Sequence, residues 1–163
     1  MEGRSKLLLQ SLERFYDDPK NGSKLLDIIN HRINGISLRT IEWFVTNYAK
    51  KNNVSYQKEI SGRMFTVHIE YKSTLEGYSK KLFDPFCRRS RIWLEYDNGQ
   101  SIHTTIGQLN FFRWAIENLI IEYIEKNYNN ISSKMNEKEP NNATVSASKI
   151  ISGHKCLITL NFD

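Results

Sequence analysis

The chain has 163 residues, of which 39% are hydrophobic, and a formal net charge of +5. This length is enough for one domain with its own hydrophobic core, so folding does not call for a structural metal or for disulfides. The two cysteines, Cys87 and Cys156, lack the spacing of a zinc site and are typical of a reducing compartment. No stretch is apolar enough for a signal sequence or a membrane span, so we expect no membrane association.

Three helices are predicted in the N-terminal part, residues 1–50. Apolar residues recur there at helical spacing in three segments, and Ser23 and Ser37 precede the second and third segments as candidate N-caps. The last two helices, joined by a short turn that contains glycine, have the outline of a helix-turn-helix. Its candidate groove-facing residues are Arg39, Thr40, Trp43 and Asn47. Packing in the core is the alternative role, because such helix pairs are ordinary scaffolding.

A strand is predicted at the start of the central α+β part, residues 63–126. Apolar and polar residues alternate there, as expected for a strand with one solvated face. The apolar positions are Phe65, Val67, Ile69 and Tyr71. His68 would lie on the solvated face, as a surface residue rather than a catalytic base, because no nucleophile is placed beside it.

A β-hairpin and a long helix are predicted next. The Asn98-Gly99 pair between β-branched and aromatic residues favours a tight turn, with Trp93 on the outer face of the first strand. Thr105 and Gln108 form a capping-box pattern that opens the helix. The apolar stripe of this helix is so wide that the helix either is central in the fold or meets a partner chain.

A polar linker and a final strand are predicted at the C-terminus. Residues 127–147 are rich in Asn, Ser, Lys and Glu and have no apolar period, which indicates a flexible linker. Apolar residues then alternate again, so residues 148–163 are predicted to form a strand that returns to the sheet. Such a strand can equally pair with the sheet of a second copy of the chain.

Positive charge is concentrated in residues 72–91, where six residues are Lys or Arg and two are acidic. The Asp84-Pro85 pair restricts the backbone, so that Phe83 and Phe86 can point inward while the flanking cations point outward. Such a loop favours binding of nucleic-acid phosphates, with Trp93 or Tyr78 available to stack on a base. The candidate nucleic-acid-binding residues are Lys72, Lys80, Lys81, Arg88, Arg89, Arg91 and Trp93. The alternative is that these cations pair with nearby acids and stabilise the fold locally.

Motifs for catalysis or cofactor binding do not occur in the sequence. It has no GxSxG, Walker, HExxH, paired-carboxylate or dinucleotide-binding pattern, and no histidine has a metal ligand four residues further on. We therefore expect a protein that is not an enzyme, has no catalytic residues and holds neither a metal nor a cofactor.

The sequence also resembles a family of small uncharacterised proteins from nucleocytoplasmic large DNA viruses, the giant viruses of the mimivirus type. Four segments carry the resemblance: ISLRTIEWFVTNYAKKNN, YSKKLFDPFCRR, TTIGQLNFFRWAIEN and SASKIISGHKCLITLNFD. It covers most of residues 35–163, and FDPFCRR and GQLNFFRWAIEN are its most specific strings. The resemblance implies a location in the host cytoplasm, at the viral factory, or in the virion, and it implies no mechanism.

The whole sequence predicts a single α+β domain, in which an N-terminal helical part precedes an antiparallel sheet of about four strands packed against one long helix. The charge favours a non-enzymatic basic protein that binds DNA or RNA through its central cations. The alternative is a virion or assembly component that forms a homo-oligomer through the long apolar helix and the terminal strand.

Overall fold

The computed structural model describes residues 3–30, 33, 35–58, 62–86, 88–96 and 99–137. Within these ranges, the chain forms helices and two small antiparallel β-hairpins. The helices are α1 (Gly3–Asp17), α2 (Pro19–Ile29), α3 (Leu38–Trp43), a π-helical turn (Phe44–Tyr48), α4 (Ala49–Lys51), α5 (Val67–Leu82), α6 (Ile106–Glu117), α7 (Ile120–Lys126) and α8 (Tyr128–Asn136). The strands are β1 (Ser55–Gln57), β2 (Met64–Thr66), β3 (Arg91–Tyr96) and β4 (Gln100–Thr105).

The second helix begins earlier than the sequence pattern predicts. Asp18 is its N-cap, because the Asp18 side chain accepts a hydrogen bond from the Lys20 backbone at 2.9 Å. The predicted cap at Ser23 is therefore wrong. Gly22 lies inside α2 and does not end a helix; a Cβ atom at this position would be 2.9 Å from the Tyr16 carbonyl oxygen, so glycine allows the close approach of α1.

The predicted cap of the third helix is confirmed. The Ser37 hydroxyl accepts a hydrogen bond from the Thr40 backbone at 3.1 Å. The chain then passes from α3 through the π-helical turn into α4. In that turn the Thr46 hydroxyl donates to the Glu42 carbonyl oxygen at 2.9 Å. The three segments together correspond to the single helix that the sequence predicts between residues 37 and 49.

The strand predicted at residues 65–71 is mostly wrong. Only its beginning belongs to a strand, β2, which pairs with β1, and α5 begins at Val67. The apolar residues that alternate in this segment also continue a helical pattern, and packing decides between the two. The residues at helical spacing that pack in the core are Val67, Tyr71, Leu75 and Tyr78. Ile69, which the strand would bury, is 56% exposed.

The second hairpin is confirmed. Strands β3 and β4 pair in antiparallel register, with Leu94 buried and Trp93 on the opposite, exposed face. The two hairpins do not share a sheet, so the α+β class is confirmed and the single sheet of about four strands is wrong. Most of the predicted first strand belongs to α5 instead, and the predicted terminal strand, residues 148–163, lies outside the described residues.

The helix α6 is the centre of the fold. It contacts α1, α2, α5, α7 and β4. Its buried apolar side chains are Leu109, Phe111, Phe112, Trp114, Ala115 and Ile116. The wide apolar stripe of the sequence is thus covered by the chain's own elements, as the central alternative predicts.

The predicted long helix is interrupted after α6. Leu119 has a positive φ of 59°, in the left-handed region that ends a helix. The Asn118 side chain donates to the Trp114 carbonyl oxygen at 2.8 Å, and its backbone carbonyl accepts from the Tyr56 hydroxyl at 2.5 Å. These contacts hold the break, so one continuous helix is wrong and α7 is a separate element.

The linker predicted at residues 127–147 is wrong in its first part, where α8 forms. Ile131 and Met135, which are four residues apart, are buried on one face of α8. Two apolar side chains at this spacing hold the helix against the core although the composition is polar. Residues 138–147 lie outside the described residues. Within the described ranges, no helix combines the length and the hydropathy needed to cross a bilayer.

Candidate nucleic-acid interface

The residues of the cation-rich stretch around Pro85 are fixed to the start of α6. Buried amide side chains of α6 reach the backbone carbonyls of this stretch, and one backbone bond runs in the other direction. The three hydrogen bonds are Gln108 Nε2 to Pro85 O at 2.9 Å, Asn110 Nδ2 to Leu82 O at 2.9 Å, and Asp84 N to Gly107 O at 3.2 Å. Buried polar groups that are all satisfied in this way hold a loop in one conformation.

The capping pattern at the start of α6 is confirmed in one half only. The Thr105 hydroxyl accepts from the Gln108 backbone at 3.0 Å, as predicted. The Gln108 side chain does not bind the backbone N–H of Thr105, as it would in a complete capping box. Its Oε1 accepts from the Thr104 hydroxyl at 2.6 Å while its Nε2 binds Pro85, because the buried loop offers it a partner that the capping box does not.

Arg88 has a local structural role. Its Nε lies 3.4 Å from Asp84 Oδ2, and its guanidinium carbon lies 5.0 Å from the centroid of the Phe86 ring. Asp84 is 7% exposed. Burial raises the pKa of the Asp84 carboxyl, and the nearby Arg88 charge opposes this. The local-pairing alternative therefore describes this arginine, although 56% of its side chain remains exposed.

Lys81 and Arg89 line one surface groove of about 470 Å³, which we call the basic groove. Its other lining residues are Ser5, Leu82, Ser90, Ile92, Ile106 and Gly107. Lys81 and Arg89 are both exposed, and neither has an acidic partner at ion-pair distance among the described residues. The neighbouring Lys80 is exposed as well. The groove thus combines an apolar floor with two cations, and Ser5 of α1 is a member that the sequence did not indicate.

The outer face of the β3–β4 hairpin carries Arg91, Trp93 and Glu95. Trp93 is 57% exposed and stacks on His103, with 4.6 Å between ring centroids and 16° between ring planes. His103 was not a candidate from the sequence. The sequence indicates this pairing only if residues 97–99 form a three-residue loop; a two-residue Asn98-Gly99 turn would pair residue 93 with residue 104, whereas the observed register puts residues 93 and 103 opposite each other.

Lys72 lies apart from the basic groove. It lines a different cleft, of about 610 Å³, between the π-helical turn and α5. Lys50 and His68 line the same cleft. His68 belongs to α5 and is half-buried, so the prediction that it lies on the open face of a strand is wrong.

The helix-turn-helix interpretation of α2 and α3 is wrong for one of its groove-facing residues. Thr40 is 6% exposed and cannot reach a DNA groove. The half-buried Trp43 ring lies 6.1 Å from the Tyr48 ring, between centroids. Arg39 is half-buried and Asn47 is exposed. The geometry of this helix pair agrees with the packing alternative.

A protein site for a metal ion needs several ligating side chains that meet at one point. No three His, Cys, Asp or Glu side chains come together in this way among the described residues. Cys87 and Cys156 lie outside the described residues.

Comparisons with known proteins give a family and one curated relative. A family model with the description "Family of unknown function (DUF7197)" matches residues 2–155. Uncharacterized protein L507 of Acanthamoeba polyphaga mimivirus is 42% identical over 144 residues, which is 84% of this chain and 55% of that protein. The chain thus spans about half of the relative's length. No solved structure matches the chain. The predicted relationship to an uncharacterised giant-virus family is confirmed.

Proposed function

The chain belongs to this family of unknown function, DUF7197, and from its surface we propose that it is a non-enzymatic protein that binds DNA or RNA. The observation that supports this best is the meeting of Lys81 and Arg89 in the basic groove. Their side chains come from the end of α5 and from the segment before β3, which α6 holds in place through hydrogen bonds. The mimivirus relative fits a site of action in the viral factory or in the virion.

The chemistry of the basic groove suits a sugar-phosphate backbone. Arginine offers a planar fork of N–H donors to phosphate oxygens, and lysine adds a compact charge. Ser5 and Ser90 add hydroxyl groups at the same groove. The apolar floor suits the less polar faces of sugars and bases, and a formal charge of +5 favours approach of a polyanion.

Binding is tested by fluorescence anisotropy with labelled oligonucleotides of about 20 nucleotides, since a single binding unit covers up to about 16 nucleotides. Single- and double-stranded DNA and RNA are compared between about 50 mM and about 200 mM salt. Each phosphate contact contributes about 0.9 to the slope of log K against log salt on duplex DNA. We expect the Lys81→Glu/Arg89→Glu variant to bind much more weakly and to lose about 2 from that slope.

The Lys50→Glu/Lys51→Glu variant is the matched control, because it changes the net charge equally at two exposed lysines away from the groove. It should bind almost as well as the natural sequence. Equal losses in both variants would show a general charge effect and not a groove. Absence of binding to all four probes at low salt would contradict the proposal altogether.

The assembly alternative depended on the wide apolar stripe of α6 and on the terminal strand. The apolar side chains of α6 are buried inside the protomer. The terminal strand lies outside the described residues. No observation on the described part of the chain therefore favours a homo-oligomer over nucleic-acid binding.

A further inference from the structure

The outer face of the β3–β4 hairpin carries a stacked pair of rings. Trp93 and His103 are directly opposite in the register, and their planes are only 16° from parallel. Among the described residues, Trp93 is one of few large apolar side chains that are mainly in contact with solvent, with 57% of its surface exposed. An aromatic side chain placed in this way commonly belongs to a contact surface.

Stabilisation of the hairpin accounts for only one side of the Trp93 ring. A cross-strand pair stabilises two strands through the face on which the rings meet, and here that face lies on His103. More than half of the Trp93 surface is still open, which leaves the side chain room to contact a planar group from outside. Indole is a strong stacking partner for a nucleobase.

The charged residues beside Trp93 affect how a bound nucleic-acid strand would be oriented. Arg91 and Glu95 are the neighbours of Trp93 on the same face of β3, each about 7 Å away along the strand. Both are exposed. Glu95 repels phosphates, so a bound strand would leave Trp93 on the side away from Glu95. Ile92, the residue next to Trp93 on β3, lines the basic groove, whose cations are Lys81 and Arg89.

We propose that the Trp93–His103 stack binds an unpaired base of single-stranded DNA or RNA while the adjacent phosphates reach the cations of the basic groove. This inference rests on the proposed nucleic-acid binding and specifies its ligand. Bases in a duplex are stacked on each other and paired, so their faces are not open to an indole. The hairpin thus selects single strands, and DNA and RNA present the same ring face.

The test compares Trp93→Ala, Trp93→Phe and the natural sequence on labelled oligothymidylate, oligouridylate and a mixed-sequence duplex. Removal of a stacking ring weakens single-strand binding by about tenfold, and phenylalanine restores most of the affinity. Duplex affinity should stay within about twofold. Ile69→Ala is the matched control, because Ile69 is 56% exposed and lies on α5 in the other cleft. Stacking also quenches tryptophan fluorescence, and this part of the quenching should be lost in Trp93→Phe.

The outcomes separate this inference from the proposed function. Suppose that the natural protein binds nucleic acid. If Trp93→Ala lowers the affinity for single strands and for the duplex equally, or lowers neither affinity, the base-stacking role is wrong while the binding role stands. A natural protein that prefers the duplex also overturns it. If Lys81→Glu/Arg89→Glu has no effect either, both proposals fail. Circular dichroism and a thermal melt of Trp93→Ala confirm that the fold is unchanged, as expected for an exposed side chain.

Discussion

The Gln108 side chain donates a hydrogen bond to the Pro85 carbonyl oxygen at 2.9 Å, across 23 positions of the sequence. The same side chain accepts a hydrogen bond from the Thr104 hydroxyl at 2.6 Å. It therefore joins the start of α6, the end of β4 and the turn that precedes Arg88 and Arg89. The backbone next to the cations of the basic groove is thus already fixed, so binding has to order only their side chains.

Replacement of Gln108 by methionine keeps the side-chain volume and removes both hydrogen bonds. The Pro85 carbonyl and the Thr104 hydroxyl are buried and would lose this partner, which costs about 2 kcal/mol of the free energy of unfolding. Chemical denaturation measures the loss. Gln10→Met is the control, because Gln10 is also helical but exposed on α1. Equal stabilities of Gln108→Met and the natural chain would contradict the supporting role.

Gly107 and Gly77 give a matched pair of substitutions. A Cβ atom at Gly107 would lie 3.2 Å from the Lys81 carbonyl oxygen, and this backbone is held by the bond from Asp84 N to Gly107 O. We expect Gly107→Ala to lower the free energy of unfolding by about 1 kcal/mol through overpacking. Gly77 is exposed inside α5, and a Cβ there would contact nothing within 4 Å. Gly77→Ala should raise the stability by about 0.5–1 kcal/mol. Thermal unfolding measures both changes. If the two substitutions changed the stability in the same direction, this account would be contradicted.

Local signals in the sequence predicted the elements whose causes are local. The cap at Ser37, the β3–β4 hairpin and the cap at Thr105 each depend on a few adjacent residues, and the structure confirms them. The alternation in residues 65–71 was ambiguous, because the same residues fit a strand and a helix. Only packing against distant aromatic rings decides, as in the contact of Tyr71 with Phe111 at 6.4 Å between centroids.

The composition of the candidate interface was predictable from the sequence, and its arrangement was less so. The candidate cations are exposed as expected, but the sequence could not show that Arg88 pairs with a buried Asp84 or that Lys72 lines another cleft. Those facts depend on the path of the chain between α5 and β3. The Trp93–His103 stack depends on the hairpin register, which the sequence left open, because a two-residue Asn98-Gly99 turn would put residue 104, and not His103, opposite Trp93.

A carboxyl group of α3 provides a pH-dependent prediction. Burial raises the pKa of Glu42, and the nearby Asp84 charge acts in the same direction, whereas a hydrogen bond from Thr46 and the Arg88 charge oppose the change. A raised pKa in the folded state means that ionisation of Glu42 costs stability. The contribution of the protonated group is complete below the unfolded pKa of about 4.3 and is lost as the pH rises through the folded pKa.

Glu42→Gln should therefore be more stable than the natural chain at pH 7, and the difference should shrink as the pH falls toward about 4. Glutamine keeps an oxygen for the Thr46 hydroxyl, which lies 3.4 Å from Glu42 Oε1, so the local hydrogen bond is preserved. Denaturant midpoints measured across this pH range give the comparison. Glu13→Gln is the control, because Glu13 is exposed on α1 and its substitution should leave the pH profile almost unchanged. A Glu42→Gln protein that is less stable than the natural chain at pH 7, with a difference that disappears toward pH 4, would show that the charge itself stabilises the fold and would contradict the prediction.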